Sequence, residues 1–489
     1  MSAPVLRHPD RLFIGGAWVE AHSGRQIEIV SPDTEQVVAR VAEADETDMD
    51  RAVAAARKAF DEGPWQWMPP AERVAAMGRL VEALRKREPE IAAAWTQQMG
   101  GLTAIAPYLT GRGTQNLQEA IDLGGTFPFI TKVESKASPV AYVVHEPVGV
   151  VAAIAPWNVP YMIMAAKLAP ALLSGCTIII KPSPETPLEA YIIAECAEEA
   201  GLPAGVINLV PGHREASDHL VCNPGVDKVS FTGSTVAGKR IGSVCGSRIA
   251  RCTLELGGKS AAVILDDFSA EETAKVLAGA ITLVSGQVCA MLTRAIVPRR
   301  RHDEIAHAIA AEMKKVRVGH SDDASVNMGP LAMQRQLDRV ESYIEKGQKE
   351  GADLVTGGGR PAHLNRGYFF EPTLFANVSN DMTIAREEIF GPVLSLIPCD
   401  DVDDAIRIAN DSNYGLNGSV LTHDADAAWK VARRVRTGNV GQNGMRSDFS
   451  LPFGGYKQSG IGREGGSQGL MHYLETKTIL LDGAPAELA

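Results

Sequence analysis

Between residues 145 and 267 one pattern recurs: a short Val/Ile-rich run, a break carrying Gly, Pro or Asn, then an amphipathic stretch with helical spacing. Alternating β and α units at this spacing confine the chain to an open parallel sheet covered by helices on both faces. HEPVGVVAAIAPW opens the series, and MIMAAKLAPALLSG is its first helix, with Gly175 as the stop. CTIIIKPSP is a strand halted by two prolines, and ETPLEAYIIAECAEEAGLPAG is a helix closed by Gly201 with Pro203 just beyond. GVINLVPG, VDKVSFTGSTVAGKRIGSVC and CTLELGGKSAAVILDD continue the alternation. Sheets of this class bind ligands at the carboxyl ends of their strands.

A second alternating series follows, with helices expected near 270–284, 301–314, 331–350 and 402–411 and strands near 292–297, 352–356 and 393–398. The fold expected is therefore α/β with two open parallel-sheet domains, which suits 489 residues at roughly 150 per domain. Two segments, 126–145 and 472–482, are strand-like but belong to neither series, and they are expected to pair as a small β arm.

Composition removes several function classes. An apolar fraction of 45% and a charged fraction of 22% describe an ordinary globular chain and exclude global disorder. A net charge of −11 argues against a nucleic-acid partner. Seven cysteines, scattered and odd in number, form neither a CxxC nor a His/Cys cluster, so no metal is expected and a reduced, cytoplasmic setting fits. MSAPVLRHPDRLFIGG lacks the basic start and apolar core of a secretory signal. Residues 148–166 are nearly apolar, but Pro156, Asn158 and Pro160 interrupt them, so they read as strand, loop and helix rather than a membrane span.

Several residues could carry chemistry, and each has a plainer reading. Cys289, in SGQVCAMLTR, is by default a buried small hydrophobe, and it gains weight as a nucleophile only if an oxyanion donor and a base accompany it. Glu255, in LELGGKS, is either a solvated or capping acid or a base beside glycines that admit a close ligand. Asn158, in PWN, is a turn former or an oxyanion-hole amide. Residues 233–239, GSTVAGK, match the first seven positions of a P-loop, but Arg240 stands where Ser or Thr must hold magnesium. What remains is a strand-to-helix turn that either binds pyrophosphate or merely turns the chain. LPFGGYKQSGIGREGG at 451–466 is a flexible linker or an ordered loop across a site, and its Phe, Tyr and Lys favour the latter.

Taken together and in order, these segments resemble the aldehyde dehydrogenase superfamily over essentially the whole chain. The matching motifs are PWN (156–158), KPSPETPL (181–188), FTGS (231–234), ELGGKS (255–260), GQVC (286–289), EEIFGPV (387–393), NYGL (413–416) and PFGGYKQSGIGRE (452–464). The resemblance implies residues 1–125 and 146–256 as a Rossmann-like dinucleotide-binding domain and 257–458 as a catalytic domain. It implies 126–145 and 459–489 as an oligomerisation arm and C-terminal segment, building a homodimer or homotetramer.

The resemblance also assigns roles. Cys289 would attack the aldehyde, Asn158 and the Cys289 N–H would hold the oxyanion, and Glu255 would be general base. Lys167 would belong to a proton relay, its plainer reading being a surface helical lysine. Trp157, Lys181, Ser183, Gly233, Ser234, Leu256, Gly257, Glu388 and Phe390 would bind the dinucleotide. Relatives that prefer NAD often carry Glu right after the KP-small triplet, and here Pro184 stands there with Glu185 next; NAD is the expected cofactor and NADP stays open. Val159, Met162, Ile163, Ala166, Met291 and Phe453, with Tyr161 and Leu292, would form an apolar substrate tunnel. The expected activity is oxidation of a hydrophobic aldehyde (aliphatic, terpenoid or aromatic) to its acid through a cysteine thioester. A coenzyme-A-acylating relative and a non-catalytic nucleotide binder are the alternatives, and Glu255 speaks against the first because hydrolysis is what needs that base.

Overall fold

In the computed structural model, residues 6–488 are described; residues 1–5, which open the segment read for a secretory signal, lie outside them. The first sheet has eight strands, in spatial order Gly460–Ile461, Arg251–Glu255, Lys228–Thr232, Val150–Ile154, Thr177–Lys181, Ile207–Leu209, Leu12–Ile14 and Ala17–Val19. Its five central members, from Arg251–Glu255 to Ile207–Leu209, are parallel. Four of these, Val150–Ile154, Thr177–Lys181, Ile207–Leu209 and Lys228–Thr232, are buried along their whole length, as strands covered on both faces must be, which is why they do not read as alternating ones.

The chain lays down Val150–Ile154, proceeds to one side through Thr177–Lys181 and Ile207–Leu209, then returns to place Lys228–Thr232 on the other side. That reversal leaves a crevice beyond the carboxyl ends of Val150–Ile154 and Lys228–Thr232. Helix Pro160–Ser174 starts there. Proline at its first position costs no hydrogen bond, and Gly175, at φ 97°, ends it in a left-handed turn. Every residue of this helix except Met162 is buried, which explains the hydropathy of 148–166; among the described residues no helix is long and apolar enough to cross a membrane.

The second sheet runs Asp353–Thr356, Thr373–Ala376, Val393–Cys399, Leu292–Pro298, Ser260–Ile264, Gly418–Leu421 and Gly441–Gln442, parallel except for the first strand. Helices Ala270–Thr282, His302–Met313, Gln334–Lys349 and Val402–Asn410 fall where the spacing places them. The two outlying segments pair as expected: Leu474–Leu481 and Ile130–Val133 flank Val140–Pro147 in an antiparallel three-stranded sheet.

Residues 459–471, grouped with the arm in the sequence reading, sit elsewhere. Gly460–Ile461 adds an edge strand beside Leu254 and Glu255, and helix Gly466–Met471 packs on Pro160–Ser174. The reason is local: the Ser459 hydroxyl donates to the Gly257 carbonyl at 2.7 Å, and a Cβ at Gly460 would lie 2.2 Å from the Leu254 carbonyl oxygen. Only a glycine lets the loop close on the first sheet at that point.

Candidate active site

A cleft of about 700 Å3 opens at the crevice, bounded by Ile154 and Thr232 from the first sheet and by Val288, Cys289 and Ala290 from the approach to the second. Cys289 follows a strained stretch. Val284 (φ 51°), Ser285 (φ 53°) and Gly286 (φ 74°) are all left-handed, a conformation a β-branched residue rarely accepts. Gly286 has no alternative, since a Cβ there would lie 2.3 Å from the Gly391 carbonyl. Gln287, fully buried, pins the turn: its amide nitrogen donates to the Val284 carbonyl (3.1 Å) and its amide oxygen accepts from the Ala332 N–H (2.9 Å).

Asn158 is tied to the same loop. Its Nδ2 donates to the Gln287 carbonyl at 2.9 Å, two residues before Cys289, while its own carbonyl accepts from Trp95 Nε1 at 2.8 Å. One N–H of the amide is thereby spent on orientation and the other is left over. Burial, then the nearby carboxylates of Glu388 and Glu255, push the Cys289 thiol up to about 12. At neutral pH the sulfur is protonated until something removes the proton or opposes those charges.

Glu255 ends strand Arg251–Glu255 at 3% exposure, and neither of its carboxylate oxygens has a hydrogen-bond partner among the described residues. Burial raises its pKa well above the usual carboxylate range, Glu464 raises it further, and Lys167 and Arg463 pull the other way. Lys167 is completely buried, which overturns its reading as a surface lysine. Its Nζ donates to Glu464 Oε1 (2.5 Å), Thr232 Oγ1 (2.8 Å) and Ser230 Oγ (3.3 Å). Glu464 was missed by the sequence reading, although it closes the quoted PFGGYKQSGIGRE motif. The backbones of Phe453 and Glu464 exchange two hydrogen bonds, at 2.7 and 2.8 Å, so this Gly-rich loop is an ordered structure. A Cβ at Gly454 would stand 2.7 Å from Glu255 Oε1.

The two glycines after Glu255 have separate duties. A Cβ on Gly257 would meet Glu388 Oε2 at 2.3 Å, and one on Gly258 would meet the Cys289 carbonyl oxygen at 2.4 Å. Glu388 Oε1 accepts from the Gly258 N–H at 3.0 Å, and burial holds its carboxyl up at about 7. Phe390 is left-handed (φ 63°) and meets Trp157 edge to face at 5.2 Å. Burial brings Lys181 down to about 8, and among the described residues its Nζ makes one hydrogen bond, long at 3.5 Å, to the Gly212 carbonyl. Ser234 caps helix Thr235–Arg248, turning its positive end toward the cleft.

All nine residues expected to bind a dinucleotide line this cleft, as do Asn158, Val159, Met162, Ile163, Cys289 and Phe453. Glu255 and Lys167 lie behind its wall, among the groups just described. Four residues expected along the tunnel do not line this cleft. Met291 and Leu292 are buried in the core of the second sheet, because the chain turns inward after Cys289 with the Met291 N–H on the Val288 carbonyl. Tyr161 points away from Met162 round the helix and bonds Thr114 Oγ1 at 2.9 Å. Ala166 lines a separate cavity. The sequence reading also missed a basic rim. Arg335 forms a 2.5 Å ion pair with Glu185, which in turn accepts from the Ser183 hydroxyl; Gln336 and Arg339 donate to the carbonyls around Phe390. Burial would raise Glu185, but Arg335 and Ser183 outweigh it and hold the carboxyl below its ordinary value.

Comparison with known proteins places this geometry. The model of the aldehyde dehydrogenase family matches residues 18–479. A geranial dehydrogenase of Castellaniella defragrans is 42% identical over 475 residues, 96% of this chain and 98% of the relative. A Mycobacterium tuberculosis aldehyde dehydrogenase solved with NAD+ superimposes with a TM-score of 0.95 at 43% identity, covering 98% of this chain and 99% of that one. A mutant of Pseudomonas syringae aldehyde dehydrogenase C, solved with NAD+ and octanal, gives 0.94 at 40% identity over 99% of both chains. With the family model, the sequence identity and the fold in agreement over nearly the whole chain, the chain belongs to the aldehyde dehydrogenase family.

Proposed function

We propose that this enzyme oxidises a hydrophobic aldehyde to its carboxylic acid with NAD, using Cys289 as nucleophile and Glu255 as the base that hydrolyses the thioester. The observation that carries the reading is the convergence on one cleft of a strained cysteine loop, an amide anchored to that loop with one N–H unspent, and a buried carboxylate behind it with no hydrogen-bond partner among the described residues. The residues present fit a dinucleotide: Lys181 is nearly unpartnered, the Gly257 cradle would be filled by any Cβ, and a helix N-terminus faces the cleft. Lys181 and Glu388 would hold ribose hydroxyls, and Ser234 the pyrophosphate. Bound there, the nicotinamide supplies the two-electron oxidation that turns the hemithioacetal into a thioester. Glu185, kept ionised by Arg335, supports NAD over NADP, because a carboxylate at that rim opposes a 2′-phosphate.

The chain's own work is proton and charge placement. Once the Cys289 thiol has given its proton to a water in the cleft, the sulfur bonds the carbonyl carbon, the displaced π pair becomes an oxyanion, and the spare Asn158 N–H and the Cys289 N–H stabilise it. In the second half a water attacks the thioester, its proton passes to Glu255, and the carbon–sulfur bond breaks to return the thiolate. The domain of the first sheet would then hold the dinucleotide and that of the second sheet carry the nucleophile. Side chains Val159, Met162, Ile163 and Phe453 give the substrate wall no charge. Strands Ile130–Val133 and Leu474–Leu481, with Ile130 and Leu480 exposed, support assembly into a homodimer or homotetramer. All seven cysteines are free thiols, in keeping with a reducing, cytoplasmic setting.

The test is NADH and acid formation over a panel of aldehydes with NAD and NADP, for the wild type and Cys289→Ala. We expect octanal to exceed a charged aminoaldehyde in kcat/KM, NAD to exceed NADP, and the variant to lose about three orders of magnitude or more. Preference for the aminoaldehyde would end the hydrophobic reading, and a product that forms only with coenzyme A would end the hydrolytic one.

A further inference from the structure

Helix Thr235–Arg248 lies against strand Arg251–Glu255 in a simple register. A Cβ at Gly238 would stand 2.4 Å from Leu256 Cδ2, and one at Gly242 would stand 3.5 Å from Leu254 Cδ1. Residues 238, 242 and 245 share one helix face, while 256, 254 and 252 share one strand face, so the next rung of this ladder pairs Cys245 with Cys252. The connection between them is short: Ile249, left-handed at φ 57°, ends the helix, and the Ala250 N–H donates to the Cys245 carbonyl at 2.9 Å. Cys245 lies in the apolar cluster on this side of the first sheet, Cys252 packs against it, and a hydrogen bond joins the two sulfurs.

The two thiols are not equivalent. Cys245 is buried, whereas Cys252 is only half-buried. Close by is Lys228, itself buried, whose Nζ donates to Thr253 Oγ1 at 2.6 Å and sits 4.7 Å from the centre of the Tyr473 ring. The Cys245 S–H, helped by the Lys228 ammonium, outweighs burial and brings the Cys252 thiol down to about 7, while the same hydrogen bond keeps the proton on Cys245. Cys289, at about 12, holds its proton. The thiolate is the form that attacks an oxidant, so of these three sulfurs Cys252 is the one ready to do so, and neither it nor Cys245 lines the active-site cleft.

We propose that Cys245 and Cys252 form a redox modification site, which reduces a hydroperoxide and closes as a disulfide between helix Thr235–Arg248 and strand Arg251–Glu255. The Cys252 sulfur bonds one peroxide oxygen, the O–O bond breaks, the other oxygen leaves with a proton as water or alcohol, and Cys252 is left as the sulfenic acid. The Cys245 sulfur then bonds the Cys252 sulfur, and the sulfenic oxygen departs as water with the Cys245 proton. In total two thiols lose two electrons and two protons, and hydrogen peroxide becomes two waters. An external dithiol reverses the bond by exchange. The ladder supplies what this sequence of steps needs, a resolving sulfur already facing the attacked one.

Trypsin gives a direct readout. It cuts after Arg240, Arg248, Arg251 and Lys259, so Cys245 leaves in peptide 241–248 and Cys252 in peptide 252–259, and only a disulfide holds the two together. The folded protein, free of dinucleotide, is exposed to a small excess of hydrogen peroxide for increasing times, its remaining thiols are blocked with N-ethylmaleimide as it is denatured, and mass spectrometry follows the joined peptides and the peptide of Cys289. In the wild type we expect the joined peptides to appear about tenfold faster than Cys289 is oxidised, and to separate again with dithiothreitol. In Cys289→Ala they should form at the wild-type rate. In Cys245→Ala, Cys252 should stop at the sulfenic or sulfinic acid. Should that last variant fail to fold, the first two proteins still decide the matter. Oxidation of Cys289 ahead of the pair, or Cys252 joined to a different cysteine, would overturn the site.

Discussion

Two salt bridges lie at comparable depth around the first sheet, and only one of them borders the candidate active site. Arg87–Glu195 has side chains 10% and 0% exposed, and Lys167–Glu464 has them 0% and 1% exposed. The first is closed on itself: Glu195 also accepts from the Arg7 backbone N–H at 2.7 Å, and Arg87 also holds Glu90 at 2.7 Å. The second borders a third group, Glu255, whose two oxygens have no partner among the described residues and whose proton affinity is raised by burial and then by the same Glu464. Depth therefore does not separate scaffold from chemistry. Unspent hydrogen-bonding capacity does, because a satisfied pair can only hold the fold, whereas an unsatisfied carboxylate keeps an affinity for a proton or a water.

The sharpest way to break this comparison is Glu255→Gln. If the unpartnered carboxylate is the base, turnover should fall by about two to four orders of magnitude while a first burst of NADH survives, since acylation precedes hydrolysis. Rapid-mixing kinetics would show it, and a burst lost together with turnover would move Glu255 to the first half-reaction. Next in size is Arg87→Ala, which strands Glu195 in the interior. It should cost about 3–5 kcal/mol of stability in denaturant melts and leave kcat/KM of the remaining folded enzyme unaltered. A loss of activity without loss of stability would put the two bridges in one class.

The smallest effect, and the most specific, is Glu464→Gln. Removing a neighbouring negative charge, and leaving Lys167 uncompensated, both favour ionised Glu255. Its pKa falls, so the acid limb of the pH–kcat profile should move to lower pH, by about one unit, with less than tenfold change at the plateau. A limb that stays put or moves to higher pH would uncouple Glu464 from the base.

The same contrast shows what could be read from the chain beforehand. Long, patterned elements were legible, and helices such as His302–Met313 and Val402–Asn410 lie within a residue or two of their expected bounds, because one face of each tells its own story to a period of 3.6. Short strands such as Thr373–Ala376, Gly418–Leu421 and Gly441–Gln442 went unread, since two to four residues carry too little pattern. Cys289, Asn158 and the nine cleft residues near the strand ends were legible through motif order. Lys167 and Glu464 were harder: they are 297 residues apart, so neither sequence neighbourhood contains the partner that makes a buried lysine tolerable. Met291 and Ala166 lie off the cleft for a related reason. Motif position gives the residue but not the direction its side chain takes after a tight turn or round a helix.

The route of the chain after Glu464 gives the arm a second meaning. Helix Gly466–Met471 is all that separates that carboxylate from strand Leu474–Leu481, and the helix is seated on Pro160–Ser174, the element that carries Lys167. Tyr473, at the junction, reaches back to donate to Ser230 Oγ at 2.9 Å, the same hydroxyl that accepts from Lys167. Strand Leu474–Leu481 is thus tied, through Tyr473 and the short helix before it, to the hydroxyl and the helix that hold Lys167 against Glu464.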